Sequence, residues 1–447
     1  MSKARNLANL LADGAVGASE LASTLDLSGK TLTLPEGVGG GVTTDSEANR
    51  PASPAVGTLF FNTTQDTLQQ YKSTGWEDVG TPPPNIGVIA GVIYNGVASN
   101  LVISGNGFGA ASTVRFVVGV SVTDVSVSNS DTSITVSIPS AIYNQASGTT
   151  VSISVIVNGK STASSNKTVL DPASGGTVTV SGGYIYHTFL SSGSFVVPSE
   201  LSGTTAEYLI VAGGGAGGGY GGGGGAGGVI GGSTSLSAGT HTVAVGIGGN
   251  ASSAYQAAGS DGLSSSVFSQ TAIGGGGGGT QNTFNGRSGG SGGGGGYWSS
   301  GGPGTIGQGN AGGNGGGDAD PYPSGGGGGA GAVGGNANLA TKSAGSGGIG
   351  TLAYSTWASA TSTGDQGYYA GGGGGGTAGG SGYGQDGIIG FGGLGGGGLG
   401  GKGNHTASTA GAENTGGGGG GGGYNGSTGS SAPSNGGKGI VIIRYQI

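Results

Sequence analysis

Apolar and polar residues alternate over several short stretches in the first half of the chain. Leu101/Ile103, Val114/Phe116, Val125/Val127, Ile134/Val136/Ile138 and Val151/Ile153/Val155/Val157 all repeat at intervals of two. A period of two turns one side of a stretch toward a core and the other toward water, so each predicts a half-buried strand. Gly and Asn punctuate the stretches, and many short strands at regular spacing predict a β-sandwich over residues 81–170. Upstream, Leu59-Phe60-Phe61 and Leu68 to Tyr71 flank a polar Asn-Thr-Thr-Gln-Asp turn, the signal of a hairpin. Gly75-Trp76 starts a third strand, giving a small β module at 48–80 whose thin core would gain from packing around a three-fold axis. Thr81-Pro82-Pro83-Pro84 reads as a stiff linker.

Before residue 48 the spacing changes. Leu7, Leu10 and Leu11 share a helical face, and Leu21 and Leu25 stand four apart after Ser19, a residue suited to an N-cap. Both segments are too short to be stable alone. Residues 1–47 are therefore expected to order against a docking protein or other copies of the chain.

After Asp171-Pro172 the alternation gives way to glycine. Of 119 glycines, 19 precede residue 171 and 100 follow it, which marks a domain border. The region 171–447 opens with ordinary strands, including Phe195 to Val197 and Tyr208 to Val211, and closes with another at Ile440 to Tyr445. Between them glycine comes in runs at 213–215, 217–219, 221–225, 274–279, 292–296, 325–329, 371–376, 395–398 and 416–423. A linker needs no closing strand, so the two apolar ends are expected to pair. Six glycines in an extended three-fold helix span about 19 Å and make no internal hydrogen bonds. Several such helices side by side can bond to one another, and only glycine lets backbones come that close. The pattern predicts a bundle of antiparallel polyglycine-II helices whose interruptions become turns at its ends.

Composition narrows the function. Charged residues make up 7% of the chain and net charge is −7, with 13 scattered basic residues and no basic stripe to match a phosphate backbone. Nucleic-acid binding is set aside. The absence of cysteine excludes disulfides and thiolate metal sites. No run approaches the roughly 20 apolar residues of a membrane span, and the start lacks a signal-peptide core, with Asp13 interrupting it. An uncharged surface rich in Ser, Thr, Asn and Gly without a secretion signal fits a virion part, assembled in the cytoplasm and released by lysis.

Catalytic patterns do not survive inspection. GxGxxG recurs trivially, and no helix can follow the strand at 208–211. The stretch Asn158-Gly159-Lys160-Ser161 ends like a phosphate loop, but Ser154 stands where its first glycine belongs. Gly286-Arg287-Ser288-Gly289-Gly290 matches a nucleophile elbow without the strand and helix that make one. His187, His241 and His405 lie far apart, and solvent-facing strand positions explain the first two. Asp318 and Asp320 read as a loop and are too few for a calcium site. No enzyme activity, cofactor or metal is expected.

Three stretches resemble known families. RPASPAVGTLFFNT, with a following Tyr and Gly-Trp, resembles small β elements of phage tail fibres. LVISGNGFGAASTVRF, ITVSIP and VSISVIVNG resemble the IPT/TIG immunoglobulin-like domain, with Gly105 and Gly107 ahead of Phe108. EYLIVAGGGAGG, THTVAVGIGG and GGKGIVIIRY resemble the glycine-rich domain of phage tail-fibre proteins, over about residues 184–447. The opening MSKARNLANLLADGAVG is similar to tail-fibre starts from phages of marine bacteria. Together the resemblances imply a mainly β fibre: an N-terminal trimerising, virion-attachment segment, an Ig-like spacer, and a polyglycine-II tip bracketed by strands. They imply a homotrimer docked on other tail proteins, without membrane insertion, whose tip loops bind a host-surface glycan or outer-membrane protein. The aromatic residues of the interruptions, Tyr297, Trp298, Tyr322, Tyr354, Trp357, Tyr368 and Tyr369, are the candidate contacts, because Tyr and Trp give rigid contact area at low entropy cost; the other reading is that they shield the glycine helices or pack on one another. Alternatives are a purely structural or decorating virion protein, and an ice-binding polyglycine protein.

Overall fold

The computed structural model describes residues 43–45, 48, 50, 52, 54, 58–62, 67–78, 84–252, 257–281, 285–378, 387–403, 405–424 and 431–447. The helical segments expected from Leu7 to Leu25 lie outside the described residues. So does most of the proline linker. The fold is mainly β. It falls into two compact units, one holding the described residues up to Ala90 with Asn100–Val136 and Val151–Asn166, the other Gly91–Ser99, Ser137–Thr150 and Lys167–Ile447.

The first unit follows the period-two pattern. The hairpin at 59–72 forms from Leu59–Asn62 and Thr67–Lys72, and Gly75–Asp78 adds the third strand. A short parallel strand, Thr43–Asp45, extends this sheet on its other side. Phe60 is buried within the chain itself, its ring 5.5 Å from that of Trp76. Beyond the module lie sandwich-like sheets. Asn100–Asn106 pairs with Asn85–Ala90 and sits between it and Ser133–Ser137. Ala111–Val118 pairs with both Ser121–Ser128 and Thr150–Val157. Leu101, Ile103, Val114, Phe116, Ile134, Val136, Val151, Ile153 and Val155 are all buried, each at an alternate position. Gly105 is required by space: a Cβ there would strike the Asn85 carbonyl and the ring of buried Phe108. Gly107 is required by its left-handed φ of 71°.

The second unit is built on a five-stranded antiparallel sheet in the order Thr177–Ser181, Tyr184–Phe189, Ile440–Gln446, Thr205–Val211, Val229–Ser235. The opening and closing strands pair directly, Tyr208 opposite Ile443 and Ile210 opposite Val441. Both faces are covered. On one, Ile185, Phe189, Tyr208, Ile210, Val441, Ile443 and Tyr445 pack with Phe195, Val197, Val243 and Val267 from two smaller two-stranded sheets. On the other, Tyr186, Leu209, Val211, Ile440 and Ile442 pack against Trp357, Ala358, Tyr369 and Ala370.

From this sheet the glycine tracts extend, bonded to one another through their backbones. The bonding repeats every three residues. Gly214 and Gly217 donate to Gly437 and Ser434; Gly215 and Gly218 to Gly225 and Gly222; Gly213, Ala216 and Gly219 to Leu263, Ser260 and Ala257. One tract thus feeds three neighbours in rotation, as a chain with three residues per turn does. These neighbours run antiparallel, their acceptors falling by three as the donors rise. Other pairs run parallel: Gly371, Gly374 and Thr377 donate to Gly395, Gly398 and Gly401. The expected all-antiparallel arrangement is corrected to a mixed one, since each tract has several neighbours and only chain-consecutive ones must reverse. Exposed Ile388, Phe391 and Leu394 repeat the same interval of three on an outer tract.

Candidate functional site

The direction of each tract decides which end of the bundle each interruption occupies. The first tract leaves the sheet at Ala212 and reverses at Tyr220. The tract 221–228 therefore returns toward the sheet. Ser291 and Gly294 bond antiparallel to it, at Ala226 and Gly223, so that tract runs outward and delivers Tyr297 and Trp298 to the far end. Gly325 and Gly328 bond antiparallel to Gly295 and Gly292, so the tract after Tyr322 returns. Tyr322 is also at the far end. Gly373 and Gly376 bond antiparallel to Gly224 and Gly221, so 371–376 runs outward and the segment before it, 351–369, sits at the sheet end.

The seven candidate aromatics therefore divide between the two ends of the tracts. Four lie at the sheet end. Trp357, on the short helix Ser355–Thr361, is buried with its ring 6.1 Å from Tyr186 and edge-on to it. Tyr369 is fully buried, its hydroxyl in a hydrogen bond with Thr363. Tyr354 packs beside Trp357 and lays its hydroxyl over Gly231 of the edge strand, the place a side chain would fill. Tyr368 is half-buried and its backbone bonds to Asp365. Arg444 joins this cluster from the closing strand. Its guanidinium stands 4.1 Å from the centre of the Tyr184 ring and 4.3 Å from that of Trp357, and it donates to Tyr186 Oη and to Glu207 at 2.7 Å. The cation–π contact with Trp357 fastens helix to sheet, while the ion pair joins the two central strands. Sequence reading missed this role for Arg444 and Glu207; their facing register follows once the opening and closing strands are paired.

The other three meet at the far end around a ring the sequence reading did not single out, Tyr220. Its ring lies 4.5 Å from Tyr424 and 5.2 Å from Tyr297, which is itself 5.1 Å from Tyr322. Tyr220 and Tyr297 are buried, whereas neighbouring Trp298 keeps 56% of its surface exposed. Tyr220 and Tyr322 both adopt φ of 53°, a left-handed backbone that is unusual for a bulky residue and costs on the order of 1–3 kcal/mol each. Burial pushes the Tyr297 hydroxyl above the usual tyrosine range; a hydrogen bond with the Gln281 side chain opposes this and nearby Asp318 adds to it. The loop carrying Tyr297 is tied to the neighbouring segment by Ser299, whose hydroxyl donates to the Gln281 carbonyl at 2.6 Å.

The remaining candidates are structural or separate. His187 is not solvent-facing: it is fully buried, with Nδ1 2.8 Å from the Gly175 carbonyl and its ring between Phe195 and Tyr445. Both faces of its strand are covered, so alternation gives no exposed side. His241 Nε2 lies 2.8 Å from the Ser237 carbonyl. In the elbow-like stretch, Arg287 pairs with Asp261 at 2.7 Å, and Ser288 lies between tracts rather than on a strand-to-helix turn.

Comparison with known proteins bears on the same region. The model of a family described as "Glycine-rich domain" matches residues 188–446, more than half of the chain. The chain belongs to the glycine-rich domain family. No curated protein matches it. Among solved structures, the chicken CNTN1 FN1-FN3 domains align at 11% identity with a TM-score of 0.19, over 40% of this chain and 66% of that one. The chain thus spans slightly less than two thirds of that protein's length, and the superposition is too poor to carry an argument. The glycine-rich domain as matched opens inside the strand Tyr184–Phe189 and ends with the closing strand Ile440–Gln446. It therefore takes in the central pair of strands, every glycine tract, the far-end aromatic cluster and all of the sheet-end one but Tyr184 and Tyr186.

Proposed function

We propose that this chain is a receptor-binding tail fibre of a bacteriophage, with the far end of its glycine-rich domain as the adhesive tip. The observation that carries the reading is the asymmetry of the bundle. One end is locked to a five-stranded sheet; the other presents loops in which exposed Trp298 stands on a packed group of tyrosines. The three-residue bonding period supports polyglycine-II geometry for the tracts. On this reading the sandwich-like region is an IPT/TIG-type spacer, and the N-terminal segment joins three copies to one another and to the virion tail. The tip binds a glycan or an outer-membrane protein of an aquatic bacterial host and catalyses nothing. Weak single contacts are strengthened by several copies on one particle. The resemblance of EYLIVAGGGAGG, THTVAVGIGG and GGKGIVIIRY to the glycine-rich domain of tail-fibre proteins points the same way.

The test is adsorption of the fluorescently labelled full-length chain to a panel of marine bacterial isolates. Saturable binding to a subset, lost when Tyr297 to Ser299 are replaced by glycine, is the expected result. Absence of binding to every isolate would leave a structural or decorating virion protein as the better reading.

A further inference from the structure

Resting on that reading, we infer that the ligand at the far end is an uncharged polysaccharide, held by stacking of a sugar ring on Trp298. Five observations point there. Trp298 is the one tryptophan of the glycine-rich domain that is largely exposed, at 56%, whereas Trp357 is at 5%. It is not a loose side chain. Its ring centre is 6.5 Å from that of buried Tyr297, and its indole nitrogen lies beside Gly317, where a Cβ would come within 4.0 Å of it. A pre-set aromatic surface loses little entropy when a ligand covers it.

The groups around it are of the kind that read hydroxyls. Gln281 and Asp318 supply amide and carboxylate close to Tyr297. Asp318 is exposed. Neither Lys nor Arg lies in 296–323, which carries Trp298, nor in 217–223; Lys342 and Lys402 reach the same end on other turns. An anionic polymer such as a phosphorylated or uronic-acid glycan calls for guanidinium or ammonium donors, and a carboxylate at the site repels it. A neutral sugar meets no such penalty: its C–H face covers the indole and its hydroxyls can donate to Asp318 and accept from Gln281. The left-handed backbone at Tyr220 and Tyr322 fits the same view, because strain retained at a ring cluster fixes the platform's orientation.

The experiment uses the full-length chain and its Trp298→Ala and Trp298→Phe variants on an isolate to which the parent adsorbs. Cells are treated in parallel with periodate, which cleaves vicinal diols of sugars, and with protease, which shaves surface proteins. The proposal expects adsorption lost after periodate and kept after protease, at least tenfold weaker for Trp298→Ala, and largely retained by Trp298→Phe. Far-UV circular dichroism of each variant must match the parent. Intrinsic tryptophan fluorescence titrated with mannan and with polygalacturonate should change with the neutral polymer, or with a neutral polysaccharide extracted from the same isolate, and not with the acidic one. Adsorption lost after protease but kept after periodate overturns the glycan inference and leaves the adhesive tip in place with a protein receptor. Equal adsorption of folded Trp298→Ala also overturns it. Failure to adsorb to any isolate overturns the adhesive reading itself.

Discussion

The five-stranded sheet and the glycine tracts belong to one unit, yet they are held together by opposite means. In the sheet, side chains do the work: Ile210, Ile442, Ile443 and Tyr445 are buried on its two faces, and backbone bonds only set the register. In the tracts the interior is almost wholly backbone, with only small side chains such as Ala216, Ala226 and Ser291 buried among the described residues. Successive backbone amides reach different neighbours, so each chain is surrounded by carbonyl oxygens. Ordering glycine costs about 0.5–1 kcal/mol more per residue than ordering alanine, and the dense bonding must offset that. The lesson concerns tolerance. A sheet position accepts a range of apolar side chains, whereas a glycine enclosed by neighbouring tracts, such as Gly373, accepts none.

The largest effect is accordingly expected at a tract centre. Gly373 donates to Gly224 at 2.9 Å and accepts from Gly327 at 2.8 Å. A Cβ on it would run into the Gly419 carbonyl, which is backbone and cannot swing away. Its φ is not left-handed, so the constraint is space alone. Gly373→Val should cost more than the 1–3 kcal/mol typical of overpacking, read as a collapse of protease resistance in the glycine-rich domain. Phe391→Ala, on the exposed outer row, should change stability by less than about 0.5 kcal/mol. If Gly373→Val were as mild as Phe391→Ala, the claim of an almost wholly backbone interior would fail.

Next comes the junction of the two regions. Trp357 is the side chain through which the 351–369 segment grips the sheet, against Tyr186 and Arg444. Trp357→Ala should cost about 3–5 kcal/mol in denaturant unfolding, as for other buried aromatic truncations. A folded Trp357→Phe variant should bind cells like the parent. Reduced adsorption with unchanged stability would move the binding site to the sheet end and reverse the assignment of the two aromatic groups.

Those two groups also show how far the sequence can be read. The period-two strands, the hairpin at 59–72 and the pairing of the bracketing strands follow from apolar spacing, and the structure contains all of them. The position of the aromatics did not follow from their composition. Tyr297 and Tyr369 both sit beside glycine runs, so local sequence treats them alike. What separates them is the number of chain reversals since Ala212, a non-local quantity. Counting reversals from the sheet would have placed 351–369 at the near end. His187 was misjudged for a related reason: a central strand with both faces covered has no polar side, and the run Tyr184 to Phe189 lacks the alternation that marks an exposed one.

His187 supplies a smaller, pH-dependent test of the sheet. Burial lowers its pKa from the ordinary 6.5, only partly opposed by the bond to Gly175, and Nε2 has no partner. The folded chain therefore binds fewer protons than the unfolded chain below pH 6.5. Stability should be full above that value and decline as pH falls through it toward the folded pKa. His187→Phe, which keeps a ring between Phe195 and Tyr445, should flatten this slope in thermal melts between pH 5 and 7, a window set about the histidine value. A slope that persists in the variant would assign the acid sensitivity elsewhere.

The smallest effect is expected at the ion pair that crosses the central strands. Glu207 and Arg444 meet at 2.7 Å, but Glu207 keeps 41% of its side chain exposed against 16% for Arg444. A half-exposed pair contributes roughly 0–1 kcal/mol. Arg444 does not depend on it alone, because Tyr184 and Trp357 cover its guanidinium and Tyr186 accepts from it. Glu207→Gln should therefore lower stability by less than about 1 kcal/mol and lose most of that difference at high salt, where exposed charges are screened. Arg444→Met retains the stem but removes the planar charge that both rings face, and it should cost more than Glu207→Gln. If the two variants were equal, the carboxylate would be the principal partner, and the rings would serve only as cover for the sheet.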